Sequence, residues 1–288
     1  MVQTSMPVHD FDFQRYVERR KGAREAEQRE GAVYAYGPDL RIRRVLARAR
    51  PVTVALEATV KLWQSSARAE LVGTSLRVTE RSHPRVFSAA QTAAARLHVS
   101  APPVHASPHP AITANTFGTD DEPVVLLHAS LCQGLSDLEL VAVLGTEFGR
   151  LQNGGALLGT ARYLLHRGPD GFRRWIVGPA RTALDAWWRR AAVTADRAGL
   201  IACRDLAAAQ AAVRRVADAA ASAGEGRTAP VVEAGAAAEE PSGDAASRVA
   251  ALEAFAGSAY YRGAIGESGG TSASDTDRRV AELLKGAA

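Results

Sequence analysis

In "AVLGTEFGRLQNGG", residues 142–155, an apolar helical run carries Glu147, with Thr146 just before it and Arg150 three residues after. Positions 146 and 150 are four apart and project from one face of a helix. Imidazoles at both positions would grip a zinc ion, and the glutamate between them would act as general base on a metal-bound water. Here the base is present and the imidazoles are not. A threonine hydroxyl is a poor zinc ligand. A guanidinium is always cationic, has no acceptor lone pair and repels a divalent metal. Taken alone the stretch says little, because Glu-x-x-Arg pairs sit on countless helix surfaces.

The elements that must position it are partly legible. Ser136 followed by Glu139 is a capping box, and Leu140, Val141, Leu144, Phe148 and Leu151 supply an apolar face, so a helix starts there. Before it, "TANTFGTDDEPVVLLHASL" reads as a hairpin with an apolar strand Val124, Val125, Leu126, Leu127, His128. "SLRVT" (75–79) and "PPVHAS" (102–107) read as short strands, and Pro84 opens a helix through Leu97. A long helix follows Pro179, and an Ala-rich one runs to about residue 222. Residues 11–30 read as a polar helix; "RPVTVALEATVKLWQSS" (50–66) alternates as a strand would and also fits a helical stripe, and its length and Pro51 start favour a helix. Residues 223–243, rich in Gly, Pro, Ala and Glu, read as a flexible linker or long loop. Helices are expected again over 244–263 and from a Ser274 cap onward. Strands are few and crowded between 75 and 128, so the expected class is α+β, mostly helical. No internal repeat is present.

These blocks together resemble the soluble members of the HtpX family of zinc metallopeptidases, which includes the CAAX-prenyl endopeptidases. "TANTFG" at 113–118, "VVLLHASL" at 124–131, "ELVAVLGTEFGR" at 139–150 and "AVTADRAGL" at 192–200 follow that family's order and approximate spacing. The resemblance covers roughly residues 70–215. It implies a zincin-like fold with a small sheet and a pair of site-forming helices. It also implies one metallopeptidase-like domain over 1–222, with 244–288 as a C-terminal helical segment packed on it. The family's histidine ligands fall on Thr146 and Arg150, and its glutamate ligand falls on Ala192. Its catalytic glutamate is Glu147, here vestigial, and its imidazole-orienting aspartate is Asp196. Thr113 replaces the asparagine that opens the strand block. The family uses zinc; with every ligand position substituted, no cofactor is expected. Arg150 is then expected to fill part of the metal's space, against Glu147 and Asp196.

Composition sets the remaining bounds. Of 288 residues 47% are apolar, which can supply a core. No apolar run is long enough for a transmembrane helix, and the first residues lack a signal peptide's apolar stretch, so a cytoplasmic protein with no membrane partner is expected. The net charge of +4 invites nucleic acid, but Glu18, Glu25, Glu27, Glu30 and Asp39 interrupt the basic residues between 15 and 50. No stacking platform accompanies them, so no nucleic-acid partner is expected. Two cysteines cannot frame a disulfide scaffold or a cysteine zinc site. Trp187 and Trp188 read as helix anchors, with a peptide-binding wall as the sharper alternative. Ser130 and Ser136 have no evident histidine partner.

Three functional readings follow. The leading one is a pseudopeptidase that binds a polypeptide or an active relative, with strand 124–128 as the edge that accepts a peptide. The second is an active zinc endopeptidase with unorthodox ligands, for which His128 and His166 are the available imidazoles. The third is a scaffold subunit that uses only its helical surface.

Overall fold

The computed structural model of the chain describes residues 32–48, 54, 58, 60, 68–109, 112–119, 122–167, 178–225 and 245–286. The polar helix expected over 11–30 and most of the linker expected over 223–243 lie outside the described residues. The chain is α+β and mostly helical, with one four-stranded mixed sheet. Its helices are α1 (Gly37–Arg48), α2 (Arg68–Gly73), α3 (Pro84–Leu97), α4 (Ala129–Gly134), α5 (Asp137–Gln152), α6 (Ala156–Arg167), α7 (Gly178–Cys203), α8 (Leu206–Glu225), α9 (Ala245–Ala256), α10 (Ala259–Ala264) and α11 (Ala273–Gly286). Its strands are β1 (Leu76–Arg77), β2 (Val104–Ser107), β3 (Ala114–Gly118) and β4 (Pro123–His128).

The helix termini follow local chemistry. The capping box at Ser136 is formed: Ser136 N–H donates to Glu139 Oε2 at 2.7 Å, and Glu139 N–H donates to Ser136 Oγ at 3.3 Å. Pro84 occupies the first turn of α3, where its missing N–H costs nothing. The C-terminal end of α5 is "NGG": Gly154 takes φ of 65°, and Gly155 N–H reaches back to Arg150 O at 2.8 Å. The start of α11 differs from expectation. Ser272, not Ser274, accepts a hydrogen bond from Asp275 N–H at 3.2 Å, so Ser274 lies inside the helix. The helix expected over 244–263 breaks at Gly257 and restarts with Ser258 as cap.

In the sheet the order is β1-β2-β4-β3, with β2 and β4 parallel and the outer pairs antiparallel. This corrects one expectation. Strand 124–128 is interior, because β2 pairs along its second side, with Val104 opposite Val125 and Ser107 opposite His128. The edge beside the motif helix is β3. His128 N–H donates to Thr113 O at 2.7 Å, so residues 113, 115 and 117 face β4. The backbone groups of Ala114, Thr116 and Gly118 therefore face outward. The Thr160 hydroxyl of α6 covers Gly118, accepting its N–H at 2.9 Å and donating to its carbonyl at 3.2 Å.

One face of the sheet, α3, α5 and the second half of α7 share the main core, which includes Val125, Leu127, Leu140, Leu144, Phe148 and Leu200. Among the described residues, α5 and α7 form the most extensive helix pairing. A Cβ at Gly145 would overlap the Ala202 methyl, and one at Gly149 would overlap the Ala198 methyl. From the other helix, a Cβ at Gly199 would stand 2.5 Å from Thr146 Oγ1 and 2.8 Å from Ala142 O. Bare glycine surfaces let the two backbones approach, which fixes the residues of both helices relative to one another.

Candidate functional site

A cleft of about 80 Å³ opens above α5 at the edge of β3. Val143, Thr146, Glu147 and Arg150 form its floor, Thr113 to Asn115 one wall, and an apolar stripe of α8 the other. Trp188, Asp196 and Arg248 close it.

Glu147 is 2% exposed. Thr116 Oγ1 of β3 donates to its Oε2 at 2.8 Å, and Arg150 Nε donates to its Oε1 at 3.3 Å. Burial pushes its carboxyl above the ordinary range, against the pull of Arg150 and the Thr116 hydrogen bond. The site accommodates the neutral acid as well. A protonated Oε2 donates to Thr116 Oγ1, whose hydroxyl then turns to Glu147 O at 3.3 Å.

Arg150 pairs with Glu147, as expected. Its guanidinium lies over the Trp188 ring with 4.3 Å to the centroid. The same ring carries Arg162 at 5.1 Å, itself paired with Asp185. The expected contact from Arg150 to Asp196 is replaced by another. Arg248 of α9 donates Nε to Asp196 Oδ2 at 2.8 Å and Nη2 to Oδ1 at 2.6 Å, a bidentate buried pair. Burial alone would lower the Arg248 pKa, but the Asp196 carboxylate outweighs it and raises the value. Sequence reasoning missed Arg248, although a lone arginine among small apolar residues in "ASRVAAL" is a signal that some buried carboxylate needs it.

The three positions that the resemblance assigns to metal ligands hold no set that fits zinc. The Thr146 hydroxyl donates to Ala142 O at 3.0 Å within its own helix. Ala192 is fully buried and offers a methyl. Arg150 brings a cation, and both oxygens of Asp196 are occupied by Arg248. Among the described residues, no three His, Cys, Asp or Glu side chains come together as a metal-binding group. His128 ends β4 and serves another purpose: its Nδ1 lies 2.7 Å from Ser130 Oγ and 3.3 Å from Ser130 N, capping α4. Ser130 thus does have an imidazole neighbour, but as part of a helix cap. The His166 side chain lies outside the described residues. Of the two tryptophans, Trp187 anchors α7 among Leu46, Leu158 and Leu184, while Trp188 faces the cleft. Both cysteines are buried, which pushes their thiols up to about 11 and leaves them poor nucleophiles.

No family model matches the sequence, and no solved structure matches it. A 140-residue stretch, 47% of this chain, is 29% identical to a curated protein of Arabidopsis thaliana, plastoglobule-localized metallopeptidase 48, chloroplastic. The match spans 41% of that relative, so the chain covers less than half of its length. The similarity is distant and partial, and it supports a metallopeptidase-like family. Among the described residues no helix is long and apolar enough to cross a membrane.

Proposed function

We propose that this chain is a metallopeptidase-like protein that binds polypeptide without cleaving it. The observation that carries the reading is Arg150, a buried guanidinium held against Glu147 and stacked on Trp188 where the resemblance calls for an imidazole. A cation there excludes a second one of higher charge, and neither Thr146 nor Ala192 supplies a compensating donor. No hydrolytic step is derived through zinc. What the site retains is a recognition surface. The outer backbone groups of Ala114 line the cleft, and an extended segment laid against them would continue the sheet. The side-chain bond from Thr116 to Glu147 fixes that edge to the floor, so the vestigial base becomes a strut.

The partner is a polypeptide or an active relative, in a cytoplasmic setting, with neither nucleic acid nor membrane involved. The test is the metal content of the purified protein by mass spectrometry, together with casein cleavage and peptide binding. No bound zinc, no cleavage and measurable peptide binding are expected. One zinc per chain, lost on chelation together with casein cleavage, would overturn the reading in favour of an active endopeptidase with unorthodox ligands. Absence of any peptide binding would favour the scaffold alternative.

A further inference from the structure

Arg150 has more hydrogen-bonding capacity than its surroundings use. Its side chain is 9% exposed, yet among the described residues its one hydrogen bond is from Nε to Glu147. Nη1 is buried and has no partner there. A buried guanidinium N–H without an acceptor is costly, and native structures rarely leave one so. The Trp188 ring holds the plane of the guanidinium and Glu147 holds its Nε end, while Arg150 borders both this cleft and a second, smaller cavity beside Asp39. The second arginine of the cleft, Arg248, commits its Nε and Nη2 edge to Asp196.

The rest of the cleft narrows the ligand. Its volume of about 80 Å³ holds only a few water-sized groups. Opposite the polar floor stands the α8 wall, including Val213 and Val216, and Val143 lies beside it on the floor. At the mouth runs the outer backbone edge at Ala114. A planar anion with two oxygens, a short branched apolar group beside it and an amide behind it matches all three features.

Resting on the peptide-binding reading above, we propose that the cleft takes a carboxylate bearing a small apolar group, with the Arg150 fork as its receptor. Carboxylate and guanidinium meet bidentately in one plane, which gives direction as well as strength. The chemistry is shared by the C-terminal residue of a polypeptide and by a free acylated amino acid. For the former, the preceding amides reach the β3 edge, so the chain end is selected over internal segments.

The test uses the unaltered full chain and three probes: acetyl-Ala-Ala-Val with a free carboxylate, the same tripeptide as its amide, and acetyl-valine. Binding is read by calorimetry and by the intrinsic fluorescence change of Trp188, with Trp188→Phe identifying the reporter. The free acid is expected to bind at least about tenfold more tightly than the amide, the scale on which one charge-assisted hydrogen bond contributes to affinity. Arg150→Met is expected to abolish that discrimination, and Arg150→Lys to keep part of it. Acetyl-valine binding as tightly as the tripeptide acid identifies a free small acid as the ligand; tighter binding of the tripeptide identifies a chain end. Equal binding of acid and amide overturns the carboxylate inference while leaving the peptide-binding reading standing. Binding of neither overturns both. Should Arg150→Met lose its near-ultraviolet dichroism, the acid-to-amide comparison on the unaltered chain still decides the matter.

Discussion

Replacing Arg248 with methionine removes one half of the Asp196 pair and keeps most of the methylene stem. Both side chains are nearly sealed, with 8% of Arg248 and 3% of Asp196 exposed, so the carboxylate left behind gains little from water. Breaking a buried pair from one side costs about 3–5 kcal/mol, because an uncompensated charge remains. In a domain of this size each kcal/mol lowers the melting temperature by about 2–4 °C, so a drop of about 6–20 °C is expected. The assay is a double-mutant cycle of parent, Arg248→Met, Asp196→Asn and the two combined, followed by thermal and urea unfolding. The combined variant carries no charge at this pair and is expected to be more stable than Arg248→Met, with a coupling energy of about 1–3 kcal/mol. If Arg248→Met melts within about 2 °C of the parent, or if the two changes simply add, then the pair does not hold the C-terminal segment.

Glu147→Gln tests the buried carboxyl. Its folded pKa lies above the ordinary 4.5, so its contribution to stability is full below about pH 4.5 and is lost as pH rises through the folded value. The glutamine variant is expected to match the parent near pH 4 and to gain on it as pH rises, levelling off once the folded pKa is passed; parallel melting curves would refute this. Gly199→Ala should destabilise by about 1–3 kcal/mol in urea unfolding, because its Cβ meets Ala142 O, a backbone atom that cannot turn aside. Thr146→Ala in the same chain should recover only part of that loss. The triple change Thr146→His, Arg150→His and Ala192→Glu should create zinc-dependent stabilisation absent from the parent, about 2.7 kcal/mol at a hundredfold excess over Kd. A folded triple variant whose melting ignores zinc would mean that the three positions do not converge.

What was legible in the sequence is what local chemistry specifies. Ser136 and Glu139 start α5 in the letters as in the structure, Pro84 starts α3, and the hairpin from Ala114 to His128 pairs as its turn residues and apolar run suggest. The wrong inference about strand 124–128 came from a non-local fact. A run of four buried residues, Val124 to Leu127, is fully covered, but spacing alone does not name the strand that covers its second side. The partner of Asp196 was invisible for the same reason, since 52 residues separate it from Arg248. The Gly145–Gly149 spacing is a packing signal hidden behind the glutamate between them. In terms of volume instead of chemistry, "GTEFG" announces a helix pressed against another.

The adjacent residues Asp196 and Arg197 carry a consequence for the order in which the protein is made. Asp196 grips Arg248, and Arg197 donates Nη2 to Asp277 at 2.8 Å. A nascent chain leaving the ribosome exposes both long before either partner exists. At about 5–20 residues per second, the 52-residue gap to Arg248 takes roughly 3–10 s to translate. Through that interval Asp196 and Arg197 of α7 lack their native partners, and the pair between Asp196 and Arg248 cannot form. The cleft therefore cannot be closed by this pair before residue 248 is synthesised. A stalled or truncated product ending before residue 248 would display Asp196 and the bare flank of α7 to the quality-control machinery.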